Sequence, residues 1–406
     1  MALLLTAPRV LCDPETYLDG GGLLVERGRI ARVLRSRAAV RRANAARRVE
    51  LEHGVLAPGL VNAHAHLELS GLGGQISGEG GFGAWVGALL AARAARSPRR
   101  LAADAERGAR RLLETGTTTI GDIDTTGGGL RAAYSARTAR AAGPRRVVFR
   151  ELLDAWDPAR TGPALAGVAR GIRGGALLRE GLSPHAPFTT SRALLAGAAR
   201  VAARRRLPVT VHWSESEAEM QWLAAGEGPL AAVLAPSPRT SGLDLLDEAG
   251  LLGPRTALVH GNHPGRGEPA RLAAAGCALV HCPGTHAFFG RAAFPLRRYL
   301  RAGVRVALGT DSLASNADLD LRRELLLVRR AYPWLAPEAA LAMATTSAAA
   351  ALGLGDEVGA LRPGLRADAV HFAVEEGAAG HARALCEALT LDEPSAIARW
   401  VGGRAT

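Results

Sequence analysis

The chain contains no lysine: all 50 of its Lys+Arg residues are arginine. This absence excludes Schiff-base lysine chemistry, a phosphate-binding loop that depends on lysine, and a metal pair bridged by a carboxylated lysine. Cysteine is scarce too, with only Cys12, Cys277, Cys282 and Cys386 in 406 residues. Four scattered thiols do not make a disulfide framework, and Cys277-x4-Cys282 without a second pair is a poor zinc motif. No apolar run approaches the roughly 20 residues needed to span a bilayer, so no membrane partner is expected. Met1 to Leu11 is apolar but lacks the basic start and long apolar segment of a secretory signal. It reads as a first β-strand, and a cytoplasmic location is expected.

Aromatic residues make up only 4% of the chain, which bears on its charge of +12. The arginines are spread through Ala/Gly/Leu-rich helical stretches such as Ala91 to Arg111 and Leu194 to Arg206. They are not gathered into an aromatic-laced patch. No nucleic-acid partner is expected. A small-molecule substrate is, and a homo-oligomer stays open.

What is present is a change of texture along the chain. Residues 1–57 read as short strands with tight turns, including a hairpin from Leu23–Glu26 to Ile30–Leu34 and a further strand over Val49–Leu56. Residues 58–357 alternate strands with Ala/Leu/Arg helices, among them Leu101–Glu114 and Ala339–Leu352. The expected strands are Leu60–His66, Thr117–Ile123, Arg146–Leu152, Ala176–Ser183, Pro208–His212, Thr256–His260, Ala278–His281 and Val304–Gly309. Eight βα units over about 300 residues fit an α/β protein of the (β/α)8 barrel class. Residues 358–406 return to strand-and-turn texture. They are expected to rejoin the N-terminal strands in a small β-sandwich-like domain built from both termini. Ala91–Arg100 and Gly377–Ala382 are expected to be flexible.

In such a barrel chemistry sits at the carboxyl ends of the strands. Eight of the eleven histidines fall at or just past expected strand ends, leaving only His53, His371 and His381 elsewhere. His64 and His66 share one face of the first strand, about 7 Å apart at about 3.3 Å per residue. Alone, the pair reads more readily as two polar residues in an exposed loop than as a site. With His212 after strand five and Asp311 after strand eight, it becomes three imidazoles and a carboxylate, a coherent set for one divalent cation. Such an ion lowers the pKa of bound water, and Asp311 can both ligate and accept the proton. Glu215, three residues past His212, is placed to move a proton. Its bland alternative is a carboxylate stabilised at a helix N-terminus.

The segments PGLVNAHAHLELS (58–70), GTTTIGD (116–122), LSPHAPFTTS (182–191), HWSESE (212–217), LVHGN (258–262), HCPGTH (281–286) and LGTDSLASN (308–316) together resemble the amidohydrolase superfamily. Within it they resemble the mononuclear branch of deaminases and triazine chlorohydrolases, and in flavour the aminodeoxyfutalosine deaminases of the alternative menaquinone route. The resemblance implies that His64, His66, His212 and Asp311 hold one Zn²⁺ or Fe²⁺, and that Glu215 is the proton shuttle. It further implies that His260 orients water or polarises substrate, and that His185 touches substrate. It also implies the split small β domain. Where this branch carries Pro-x-Ser-Asn, the chain has Pro283-Gly284-Thr285-His286, which makes His286 a substrate-side candidate together with Ser312. Trp85 is read either as an aromatic wall for a flat base or as ordinary helix packing. Arg150 and Glu68 are read either as reaching the pocket mouth or as structural charges.

The expected reaction is metal-dependent hydrolytic deamination of an aminated purine or nucleoside-type heterocycle, releasing ammonia. The alternatives are hydrolysis of a cyclic amide or halide, and a non-catalytic barrel scaffold. The Pro-Cys-x-x-Cys signature of the other zinc deaminase fold is absent.

Overall fold

The computed structural model describes residues 2–138, 143–232, 234, 236–375 and 381–406. The chain starts with β1 (Leu3–Asp13), β2 (Thr16–Glu26) and β3 (Arg29–Leu34). The strand expected over Val49–Leu56 divides into β4 (Arg47–Glu50) and β5 (Val55–Pro58), because Gly54 at φ +70° turns the chain between them. The barrel follows as β6 (Leu60–Ala65), β7 (Thr117–Asp124), β8 (Arg145–Leu152), β9 (Leu178–Pro184), β10 (Val209–Trp213), β11 (Thr256–His260), β12 (Ala278–His281) and β13 (Arg305–Leu308). The tail supplies β14 (Ala369–Phe372), β15 (Ala396–Val401) and β16 (Arg404–Ala405).

Each barrel strand pairs in parallel with the next, in the order β6 to β13. Nearly all their residues are buried, as expected for strands covered on both faces. Val61, Ala63, Ile123, Val147, Phe149, Val259, Val280 and Ala307 fill the barrel interior. The ring closes where Ala65 bridges Asp311 and Asp311 N–H donates to His64 O at 3.0 Å. Asn62 reinforces that seam: its Oδ1 accepts from Thr310 N–H at 3.2 Å, and its Nδ2 donates to Thr310 Oγ1 at 2.7 Å.

The end of the barrel opposite the site is plugged by Ala348, Ala349 and Leu352. The helix expected over Ala339–Leu352 is broken there into Pro337–Met343 and Thr346–Ala351. The break leaves the Ala344 carbonyl free to accept from Val61 N–H at 2.8 Å, which pins the plug to β6.

The remaining strands form one mixed sheet in the order β16-β15-β14-β5-β1-β2-β3, with β4 on β1. Both termini therefore contribute to it, and the short tail also carries a helix, Ala382–Leu391. A buried ion pair links sheet and barrel: Arg145 at the start of β8 lies 3.0 Å from Asp368 just before β14. Removing one partner of such a buried pair costs about 3–5 kcal/mol. The expected flexible stretch Ala91–Arg100 is instead the end of helix Gly81–Ala94 and the start of Pro98–Glu114, the latter capped by Ser97. The one expected over Gly377–Ala382 lies mostly outside the described residues. No helix among the described residues is long and apolar enough to cross a membrane.

Candidate metal-dependent active site

Four residues converge at the carboxyl ends of β6, β10 and β13. The ligand atoms of His64, His66 and His212 lie within 4.8 Å of one another, and so do those of His64, His260 and Asp311. Asp311 Oδ1 is 3.6 Å from His64 Nε2 and 3.6 Å from His66 Nε2. His66 Nε2 and His212 Nε2 are 3.3 Å apart. The pleat explains the first pair, since i and i+2 face the same side. Gly309 explains how β13 comes so close: a Cβ there would meet His64 Cβ and O at 2.8 Å. Asp311 itself sits at φ +56°, a strained backbone that turns its carboxylate onto the imidazoles.

This donor set suits a cation. His64 is wholly buried and neither ring nitrogen has a hydrogen-bond partner among the described residues. Burial above all, then neighbouring imidazoles, hold both His64 and His66 well below the ordinary imidazole range. Both are therefore neutral, with lone pairs free. His212 Nδ1–H donates to His185 O at 2.9 Å, so its Nε2 carries the free lone pair. Three imidazoles and a carboxylate gathered this closely are a donor set that a single cation can join.

Glu215 stands beside this cage, on the loop that follows β10. Its Oε1 accepts from Arg291 Nη2 at 3.0 Å, and its Oε2 lies 3.7 Å from His260 Nε2. His260 ends β11 at φ +75°, and Ser214 precedes Glu215 at φ +53°. Strain of this kind gathers where a chain must re-aim a side chain. Buried Glu219 holds the loop in place: its carboxylate accepts from Ser214 N–H at 3.0 Å and Glu215 N–H at 2.8 Å. Burial pushes the Glu219 carboxyl up to about 7, against those bonds, which lower it.

His185 is brought to the same mouth. Its Nδ1 and Thr189 Oγ1 are hydrogen-bonded at 2.6 Å, and Thr189 Oγ1 also lies 3.2 Å from Ala186 O. Burial holds the His185 imidazole down at about 4, and a ring nitrogen of it lies within 4.8 Å of ligand atoms of Glu151 and His212. Ser312 is buried next to Asp311, its hydroxyl 3.4 Å from Ser315 Oγ.

Three sequence-based expectations are corrected by packing. Arg150 does not reach the mouth: Val147, Phe149 and Glu151 face inward, so alternation turns Arg150 outward. Its guanidinium bonds Arg170 O at 2.9 Å and Glu180 at 3.2 Å. Trp85 packs among Leu69, Leu72 and Ile76, with its indole N–H donating to Ala314 O at 2.9 Å, which is helix packing. His286 is a prop for the Glu215 loop. Its Nε2–H donates to Ala292 O at 2.7 Å, and its Nδ1 lies 3.2 Å from Asn262 Oδ1. Asn262 Nδ2 in turn donates to Glu215 O at 2.9 Å. Glu68 is structural as well, buried and accepting from Thr126 Oγ1 at 2.6 Å.

Sequence reasoning missed Arg291, Glu219, Glu151 and Glu324. Glu324 is buried and accepts from Gly284 N–H at 2.7 Å and Asn316 Nδ2 at 2.7 Å, joining the loops after β12 and β13. Burial pushes its carboxyl up to about 8. A signal existed for Glu219: Ser216-x-x-Glu219 has capping-box spacing, and Ser216 does cap the helix Glu217–Ala225. No local pattern marks the other three.

Comparison with known proteins gives a consistent result. The Amidohydrolase family model matches residues 55–397. A 5-methylthioadenosine/S-adenosylhomocysteine deaminase of Syntrophobacter fumaroxidans is 30% identical over 394 residues, covering 91% of this chain and 83% of that protein. An aminodeoxyfutalosine deaminase of Deinococcus radiodurans is 38% identical over 175 residues, which is 39% of this chain and 42% of that one. Among solved structures, an adenosine deaminase from Xanthomonas campestris with bound zinc superposes with a TM-score of 0.81 at 26% identity. It covers 99% of this chain and 92% of its own.

Proposed function

The chain belongs to the amidohydrolase family, and from that premise we propose that it is a hydrolytic deaminase of adenosine-like compounds. The observation that carries this reading is Glu215, an acid/base carboxylate held between Arg291 and His260 at the edge of the His64–His66–His212–Asp311 cage. A divalent cation held by those four residues, zinc in our reading, supplies Lewis acidity that makes water acidic near neutral pH.

The remaining steps belong to the protein's own groups. Asp311 accepts the proton of the water that adds to the ring carbon bearing the amino group. Glu215 delivers a proton to the adjacent ring nitrogen, which lets the carbon become tetrahedral without building charge on the ring. His260, buried and held well below the ordinary imidazole range by its burial, is neutral and orients the added oxygen. Asp311 then gives its proton to the amino group, which leaves as ammonia, while Glu215 takes up the proton of the added hydroxyl and the ring carbon keeps the oxygen as a carbonyl. Within this class we favour aminodeoxyfutalosine as substrate, supported by the Deinococcus relative of that name.

The test is ammonia release by the zinc-loaded protein from adenosine, 5′-deoxyadenosine, 5′-methylthioadenosine, S-adenosylhomocysteine, aminodeoxyfutalosine and guanine. Ammonia from the adenine compounds, with aminodeoxyfutalosine giving the largest kcat/KM, is expected. Silence on every aminated base, alongside turnover of a cyclic amide or a chlorinated triazine, overturns it.

A further inference from the structure

Glu151 lies next to the proposed reaction centre, and neither the metal cage nor the proton transfers use it. It is the penultimate residue of β8 and faces the barrel mouth in step with the interior residues Val147 and Phe149. Its Oε2 accepts from Thr125 Oγ1 at 2.6 Å. Its Oε1 is buried and has no hydrogen-bond partner among the described residues. No described cation forms an ion pair with it, although Arg150 next along the strand pairs with Glu180 on the outer face.

Beside the Glu151 carboxylate lies His185. Its Nδ1 is taken by Thr189 Oγ1 at 2.6 Å, which leaves the other ring nitrogen for a ligand. The ligand atoms of Glu151, His185 and His212 fall within 4.8 Å of one another. The Nε2 of His212 is already turned to His66 at 3.3 Å. Glu151 Oε1 thus stands without a donor among the described residues, beside an imidazole whose Nδ1 is already taken. A buried carboxylate oxygen left unpaired carries a desolvation penalty, and a ligand that brings donors to this place recovers it.

We propose that Glu151, with His185 opposite, is a specificity residue that accepts hydrogen bonds from the vicinal hydroxyls of a substrate's ribose and so selects nucleosides with an intact diol. This rests on the deaminase reading above, which places the base against Glu215 and the cage. From there the sugar extends across the mouth toward β8. A second cation is the weaker occupant, because His212 is committed to the first site and only one carboxylate and one imidazole remain.

The experiment uses the zinc-loaded full chain and its Glu151→Ala and Glu151→Gln variants. Kinetics with adenosine and 2′,3′-dideoxyadenosine are joined to calorimetric binding of inosine and 2′,3′-dideoxyinosine and to metal analysis. The unaltered protein is expected to prefer the diol compound by about 10- to 100-fold in kcat/KM, chiefly through KM, as for a hydrogen bond to a charged group. In Glu151→Ala that preference collapses to about twofold, inosine binding weakens by the same factor, and zinc content is unchanged. A preference that survives the substitution overturns the inference, and so does inosine binding that ignores it. A second equivalent of zinc that is lost in Glu151→Ala also overturns it, by making the residue a ligand. If the unaltered protein releases no ammonia from either nucleoside, the deaminase reading fails and takes the inference with it; turnover without diol preference sinks the inference alone.

Discussion

Arg291 Nη2 donates to Glu215 Oε1 at 3.0 Å across 76 positions of chain, and its guanidinium lies 4.5 Å over the Phe289 ring. The second carboxylate oxygen faces His260. In the proposed mechanism Arg291 thereby selects which oxygen of Glu215 carries the proton, and it acts through Glu215.

A double-mutant cycle checks that dependence. Glu215→Gln is expected to keep its metal and lose about 10²-fold or more in kcat. Arg291→Met is expected to lower kcat by roughly 10-fold with little change in KM, and the double variant to be no worse than Glu215→Gln alone. Losses that add would mean Arg291 contacts substrate independently. Stoichiometric metal loss in Glu215→Gln would make that residue a ligand.

Chelation is the second expectation. Removing the cation should abolish turnover and lower the melting temperature, since a ligand that binds only the folded state at 100 times its Kd adds about 2.7 kcal/mol. His64→Ala should reproduce both effects, because its two buried nitrogens have no other partner. Metal analysis and a thermal scan of chelated and reloaded protein decide it. An unchanged melting temperature after complete metal removal would count against a cation site.

Glu219 offers a stability measurement with a functional echo. Glu219→Ala leaves the Ser214 and Glu215 N–H groups buried and unpaired. The expected cost is about 2–6 kcal/mol in urea unfolding, at about 1–3 kcal/mol for each of the two unpaired donors. Turnover should fall as well, since the loop carrying the shuttle loses its anchor. Glu219→Gln, which preserves one acceptor, should lose about half as much stability.

His281 gives a pH dependence. It is buried, stacked on Phe294 at a centroid distance of 3.9 Å, and held well below 6.5 chiefly by that burial. A depressed imidazole takes up its proton only on unfolding, so its contribution is complete above about pH 6.5 and is lost as the pH falls below it. His281→Phe, which keeps an aromatic against Phe294, should flatten the decline of unfolding free energy between pH 6.5 and 5 by up to about 1.4 kcal/mol per pH unit. Identical slopes in the two proteins would refute it.

Much of the fold was legible because its signals are local. Each of the eight expected barrel strands lies within two residues of an observed one at either end, since buried parallel strands are short apolar runs bounded by turns. The Val49–Leu56 run reads as one strand because its Val/Leu alternation with polar residues continues up to the glycine that turns the chain. His64, His66, His212, Glu215, His260 and Asp311 were legible by their place at strand ends, and the structure brings them together. Arg150 was misplaced because a strand's two faces can be told apart only once the barrel interior is known.

By itself the sequence determined the barrel, the histidine–aspartate cage and, through the missing lysine, the exclusion of a lysine-bridged metal pair. Those follow from periodicity and residue type, which need no knowledge of distant contacts. Only the tertiary structure decided that Arg291 grips Glu215, that Glu219 and Glu324 brace the loops, that Arg150 turns outward, and that Glu151 keeps one oxygen free. Except for Glu219, these roles belong to pairs whose partners lie tens of residues apart or on different strands. Which of two faces or two oxygens is left for chemistry is set by whatever closure of the barrel packs against the other.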